Sequence, residues 1–235
     1  MASSQKRLDL RIDIFEKTDQ QALALPELKP PQLVETILQE FRELEYLGDT
    51  PADYRLVRAA DGYPLDDETP IGQQGLQEGA RLRLEEIDLP LPEGAGRPSQ
   101  PIYLREPRMG QAYRIHWQPA IIGRASERQP LNELVAVDLK SYTTGLRVSR
   151  RHVKLTEQDG VWYAENLSGN PASLVPQDGS AAIPLGARRQ ALHPGDALRL
   201  DRSDLALKFI VRAQPAAPVA AEAGAISPAE KAADG

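Results

Sequence analysis

The sequence predicts a small α+β unit followed by an all-β sandwich. Three observations predict it. Residues 1–88 combine period-2 apolar alternation with a single helical stripe. Residues 101–212 hold only short apolar runs separated by turn residues. A stretch with three prolines and two glycines, DLPLPEGAGRPSQ, lies between them. At roughly 100–200 residues per domain, 235 residues suit one large or two small domains.

In the first unit Leu8, Leu10, Ile12 and Ile14 alternate with Asp9, Arg11 and Asp13, the pattern of a half-buried strand. Ala22–Leu25 reads as a second strand, with the hairpin turn at Asp19-Gln20-Gln21. Pro30 and Pro31 open a helix, where a missing N–H costs nothing. Leu33, Ile37, Phe41 and Leu44 recur at helical spacing, and Gly48 is the expected stop. Tyr54–Arg58 and Arg81–Leu84 are two further strands, with a turn at Asp61-Gly62. Residues 89–100 are expected to be a linker, and 213–235 a disordered tail rich in alanine and proline.

Charge divides along the same line. Residues 1–100 carry 11 Lys/Arg against 20 Asp/Glu; residues 101–212 carry 16 against 11. An acidic unit joined to a basic one points to different partners, the basic one suited to phosphate. An excess this small does not indicate DNA, so no nucleic-acid partner is expected. Hydrophobic content of 41% suffices for a packed core. No apolar run approaches the roughly 20 residues of a membrane span, so no membrane insertion is expected. No export signal is legible, which makes the cytoplasm the expected location. The absence of cysteine excludes thiolate catalysis and Cys-ligated zinc. Three scattered histidines leave little for a metal site, and no nucleotide-binding or hydrolase motif occurs. No catalytic residue, metal or cofactor is expected.

The basic unit carries three local patterns in order: Ile122-Gly123-Arg124, then Val148-Ser149-Arg150-Arg151-His152, then Asn166-Leu167-Ser168-Gly169-Asn170. A phosphothreonine is a dianion with three strong acceptors. Arg124, after a glycine at a strand end, offers a planar fork of donors for it. Ser149 offers a compact hydroxyl. Asn170 offers an amide that can both donate to and accept from a peptide main chain. Together the three patterns resemble the forkhead-associated (FHA) domain, a β-sandwich whose signature is GR, then SxxH, then an asparagine turn. The resemblance implies that Arg124 and Ser149 hold phosphate and that Arg150 assists. It implies that Asn170 grips the peptide backbone, with Gly123 and His152 as structural support. One departure stands out: Asn170-Pro171-Ala172 replaces the usual Asn-Gly-Thr, and proline restricts the residue before it.

The β-β-α-β-β order of residues 1–88, with Thr69-Pro70-Ile71 and Gly75–Leu82 near its end, resembles the ubiquitin superfold. It is similar in particular to the small YukD/EsaB-like proteins associated with type VII secretion. The expectation is a β-grasp unit that docks a protein, joined to an FHA unit that reads phosphothreonine written by a Ser/Thr kinase. The alternative is a phospho-independent scaffold that keeps the FHA fold while Pro171 has cost it phosphopeptide binding.

Overall fold

The computed structural model describes residues 7–126 and 132–212. The tail expected over 213–235 lies outside the described residues. Strand β1 (Leu8–Ile14) pairs antiparallel with β2 (Lys17–Ala24) and parallel with β4 (Ala80–Glu86). Strand β3 (Tyr54–Arg58) adds antiparallel to β4, giving the order β2-β1-β4-β3. Helix α1 (Pro30–Glu40) buries Leu33, Val34, Ile37 and Leu38 against Leu10, Ile12, Leu56, Leu82 and other residues of one apolar core. Burying side chains of that size contributes about 1.5–3 kcal/mol each.

Two boundaries differ from the sequence reading. The hairpin turns at Phe15-Glu16, not at 19–21, because the polar residues Lys17–Gln21 continue the strand toward solvent. Asp19 takes a left-handed φ of 57° and donates its N–H to Asp13 Oδ1 at 2.8 Å. That interruption imitates a turn in the sequence. The helix ends at Glu40, well short of Gly48. Single turns, with Leu44 N–H on Phe41 O and Leu47 N–H on Leu44 O, then carry both leucines into the core. Gly48 instead donates its N–H to the Tyr54 hydroxyl at 2.8 Å.

The remaining strands form two facing sheets. One holds β7 (Ala120–Gly123), β8 (Val135–Asp138), β9 (Val153–Gln158), β10 (Val161–Asn166) and β13 (Gln190–Leu192), in the order β13-β10-β9-β7-β8. The other holds β5 (Ile102–Glu106), β6 (Gln111–Arg114), β11 (Ala172–Val175), β12 (Ile183–Leu185), β14 (Ala197–Leu200) and β15 (Leu205–Val211), ordered β12-β11-β14-β15-β5-β6. Their inner faces bury a second core around Ile122, Val153, Trp162, Leu198 and Phe209. Strands β12 and β13 are the shortest of the sandwich. Both are three-residue edge strands, and Pro184 in β12 fits only an edge, where its lacking N–H breaks no ladder.

The first sheet and the sandwich meet at a polar and aromatic junction. Glu86, at the end of β4, accepts the Tyr103 hydroxyl at 2.9 Å and pairs with Arg212 at 3.3 Å and Arg114 at 3.5 Å. The Arg212 guanidinium also lies 4.1 Å above the Phe15 ring. Arg105 donates to Leu44 O at 3.1 Å, and Lys208 meets Glu45 at 2.6 Å. The segment expected as a linker is tied to the sandwich through the Gly96–Gln118 bridge and Ser99 N–H on Glu157 Oε2. Lys208 and Glu45 are partly exposed, and such pairs contribute little. Lys208→Ala is therefore expected to change urea-unfolding stability by less than about 1 kcal/mol. A larger loss would assign the junction's strength to this pair rather than to the enclosed Glu86–Arg212 group.

Candidate functional site

The three sequence patterns converge at one end of the sandwich, in the loops after β7, β8 and β10. Strand β7 ends at Gly123, whose carbonyl accepts Leu139 N–H at 2.8 Å. The Ser149-Arg150 backbone lies directly against Gly123: a Cβ there would sit 2.2 Å from Arg150 O and 3.0 Å from Ser149 O. Only glycine allows this approach. It lets Arg124 N–H bond Ser149 O at 3.1 Å and His152 N–H bond Ile122 O at 2.9 Å. Asp138 secures the other side, its Oδ1 accepting Ala125 N–H and Lys140 N–H at 2.9 Å each. Gly145 is pressed in the same way against Leu139 O, which sets the short 3-10 turn Gly145–Arg147 under Ser149.

Arg124 is half-buried, with Nε toward Val148 O at 3.4 Å. Ser149 Oγ accepts Asn170 Nδ2 at 3.0 Å, and the same amide nitrogen donates to Arg147 O at 3.3 Å. Asn170 Oδ1 accepts Arg202 Nη1 at 2.7 Å. A guanidinium can only donate, so the oxygen of the Asn170 amide must face Arg202, which fixes the side-chain orientation. Arg124, Ser149 and Asn170 thus stand at one loop end, with Arg124 N–H on Ser149 O and Asn170 on Ser149 Oγ. The Arg150 side chain is exposed, and only its backbone packs into the site.

The turn that places Asn170 is held by its own carbonyl. That oxygen accepts Asn166 Nδ2 at 2.9 Å and Ser168 Oγ at 3.2 Å, and His152 Nε2 lies 3.2 Å from it. Pro171 O accepts Asp201 N–H at 3.2 Å. With Pro171 in this turn, Asn170 still faces Ser149. His152 is fully buried beneath this turn. Asn166, Ser168, Arg147 and Arg202 were not singled out from sequence. Asn166 and Ser168 lay inside the motif. Arg202 carried no signal beyond being a charged residue between two strands.

Burial makes His152 harder to protonate than a free imidazole, and the same cause lowers the His116 pKa to about 4. Both rings therefore bind protons more readily unfolded, near pH 6.5, than folded. Their contribution to stability is complete above pH 6.5 and drains as pH falls below it, in the case of His116 toward about 4. Urea midpoints are expected to be level from about pH 7 to 8 and to decline below about 6.5, before most carboxylates titrate. A midpoint that holds level down to about pH 4.5 contradicts buried neutral imidazoles.

No protein-family model and no curated protein matches this chain. Solved structures do. The FHA domain of human APLF, in complex with an XRCC1 bisphospho peptide, is 26% identical over 47% of this chain and 97% of its own, with a TM-score of 0.35. The FhaA FHA domain, complexed with the intracellular domain of Rv3910, is 24% identical over 48% of this chain and 100% of its own, with a TM-score of 0.32. The yeast Dun1 FHA domain, in complex with a doubly phosphorylated peptide, is 14% identical over 63% of this chain and 98% of its own, with a TM-score of 0.36. Each is similar to part of this chain.

Among the described residues no cluster of three or more His, Cys, Asp or Glu could hold a metal, and no helix is long and apolar enough to cross a membrane.

Proposed function

We propose that residues 101–212 are an FHA-type module that binds phosphothreonine peptides, and that the chain is an adaptor rather than an enzyme. The observation that supports this is the meeting of Arg124, Ser149 and Asn170, remote in sequence, at one loop end. A guanidinium, a hydroxyl and an amide are what a phosphate dianion attached to a peptide backbone requires. Arg124 and Ser149 take the phosphate, and Arg150, whose exposed side chain leaves the same loop, assists. Asn170 serves the peptide main chain, and in doing so it exchanges its bonds to Ser149 and Arg147 for bonds to the ligand.

Residues 1–88 are the ubiquitin-like module, a protein-docking unit of the kind associated with type VII secretion, and the chain acts in Ser/Thr-kinase signalling in the cytoplasm. The exposed sheet face of this module is a lattice of paired charges: Arg81 with Asp13, Arg11 with Asp19, and Arg55 and Arg83 with Glu85. A polar, charge-matched partner suits such a face better than an apolar one.

Fluorescence anisotropy with paired peptides tests the reading. A phosphothreonine peptide is expected to bind at least about ten-fold more tightly than its unphosphorylated twin. Equal affinities would instead support the phospho-independent scaffold.

A further inference from the structure

Arg202 lies on the far side of Asn170 from Ser149, in the turn Asp201–Asp204 between β14 and β15. Both carboxylates of that turn are committed elsewhere. Asp201 accepts Arg199 Nε at 2.7 Å and Ser173 Oγ at 2.9 Å, and Asp204 accepts Arg108 at 2.9 Å. Arg202 is exposed, and among the described residues it has no anionic partner. One of its five N–H groups is spent on the neutral Asn170 amide, which leaves its charge uncompensated and most of its donors unused.

Several other guanidiniums of the chain are paired with carboxylates, as with Arg81 and Asp13 or Arg114 and Asp88. At this end two guanidiniums are held by hydrogen bonds, that of Arg124 to Val148 O and that of Arg202 to Asn170, which also bonds Ser149. An uncompensated cation held in place beside a peptide-binding surface is a point of selection for an anion. An extended peptide advances about 3.3 Å per residue, so a side chain two residues from the phosphothreonine shares its face roughly 7 Å away. Arg202 and Ser149 Oγ bond the two ends of one Asn170 amide, at 2.7 and 3.0 Å, which keeps both within reach of neighbouring side chains on such a peptide.

We infer that Arg202 is a specificity-determining residue of the phosphopeptide site: it selects a second anionic side chain, carboxylate or phosphate, a few residues from the phosphothreonine. This rests on the phosphopeptide reading and adds a two-anion requirement to it.

The test uses the full chain and fluorescent phosphothreonine peptides in an alanine-serine context. A single aspartate, or a second phosphothreonine, is stepped through the three positions on either side. The wild-type chain is expected to favour the best acidic peptide about ten-fold over the neutral one. Arg202→Gln keeps a donor for Asn170 Oδ1 but no charge. It is expected to reduce the acidic-over-neutral preference to within about two-fold. The aspartate and phosphate arms decide which anion is preferred. No acidic preference in the wild-type chain, or an equal loss for every phosphopeptide in Arg202→Gln, overturns the inference, the latter because Arg202 would then act only by positioning Asn170. Failure of every phosphopeptide to bind overturns the phosphopeptide reading itself.

Discussion

Replacing Arg124 with alanine is expected to weaken phosphothreonine-peptide binding by ten-fold or more while the fold stays intact. The two halves of that result have separate causes. A hydrogen bond to a charged group contributes about 1.5–3 kcal/mol, which is at least one factor of ten in affinity. The side chain's only hydrogen bond among the described residues is the long one from Nε to Val148 O, and no carboxylate pairs with it. Its loss to the folded state should therefore stay near 0.5 kcal/mol. The loop is held by main-chain bonds, Arg124 N–H to Ser149 O and Leu139 N–H to Gly123 O, which alanine keeps. Arg124→Lys restores the charge without the planar fork and should recover affinity only in part. Titration calorimetry of wild type and both variants, with urea unfolding as the control, measures each half. Unchanged affinity in Arg124→Ala would remove Arg124 from the site.

Much of this arrangement was legible in the sequence, and for a physical reason. Apolar periodicity reports burial, so β1, α1, β3 and β4 stand where their patterns lay. Gly123 and Arg124 were legible as local residue types whose chemistry is tied to backbone position. What remained hidden depends on contacts between distant segments. Asp19 looked like part of a turn because its left-handed backbone and its bond to Asp13 occur inside a strand. Leu44 kept the helical spacing after the helix had ended, because isolated turns still point it into the core. The edge strands β12 and β13 are too short to show alternation. Arg202 meets Asn170 across 32 residues of chain, and no local pattern marks such a meeting. Nor does the sequence show that Asp201 and Asp204 are already occupied, which is what leaves Arg202 available.

The second large effect comes from a residue with no side chain. Gly123→Ala is expected to reduce phosphopeptide affinity as much as Arg124→Ala does, and also to destabilise the sandwich by about 1–3 kcal/mol through overpacking. Gly123 does not have a positive φ, so alanine suits its backbone conformation. The obstacle is space. The new Cβ would lie 2.2 Å from Arg150 O and 2.7 Å from Arg150 C, and these are backbone atoms that no rotamer change can remove. The Ser149-Arg150 segment would have to move away from β7. That motion pulls on Arg124 N–H to Ser149 O and His152 N–H to Ile122 O, and it carries Ser149 away from Asn170. The site would come apart with every ligand-facing side chain still present. Gly169→Ala is the matched control in the same loop end: its Cβ meets nothing within 4 Å, so stability should shift by no more than about 0.5 kcal/mol. Urea unfolding and anisotropy on both variants separate the outcomes. If Gly123→Ala binds phosphopeptide as wild type does, the close backbone approach at the end of β7 is not what sets the spacing between Arg124 and Ser149.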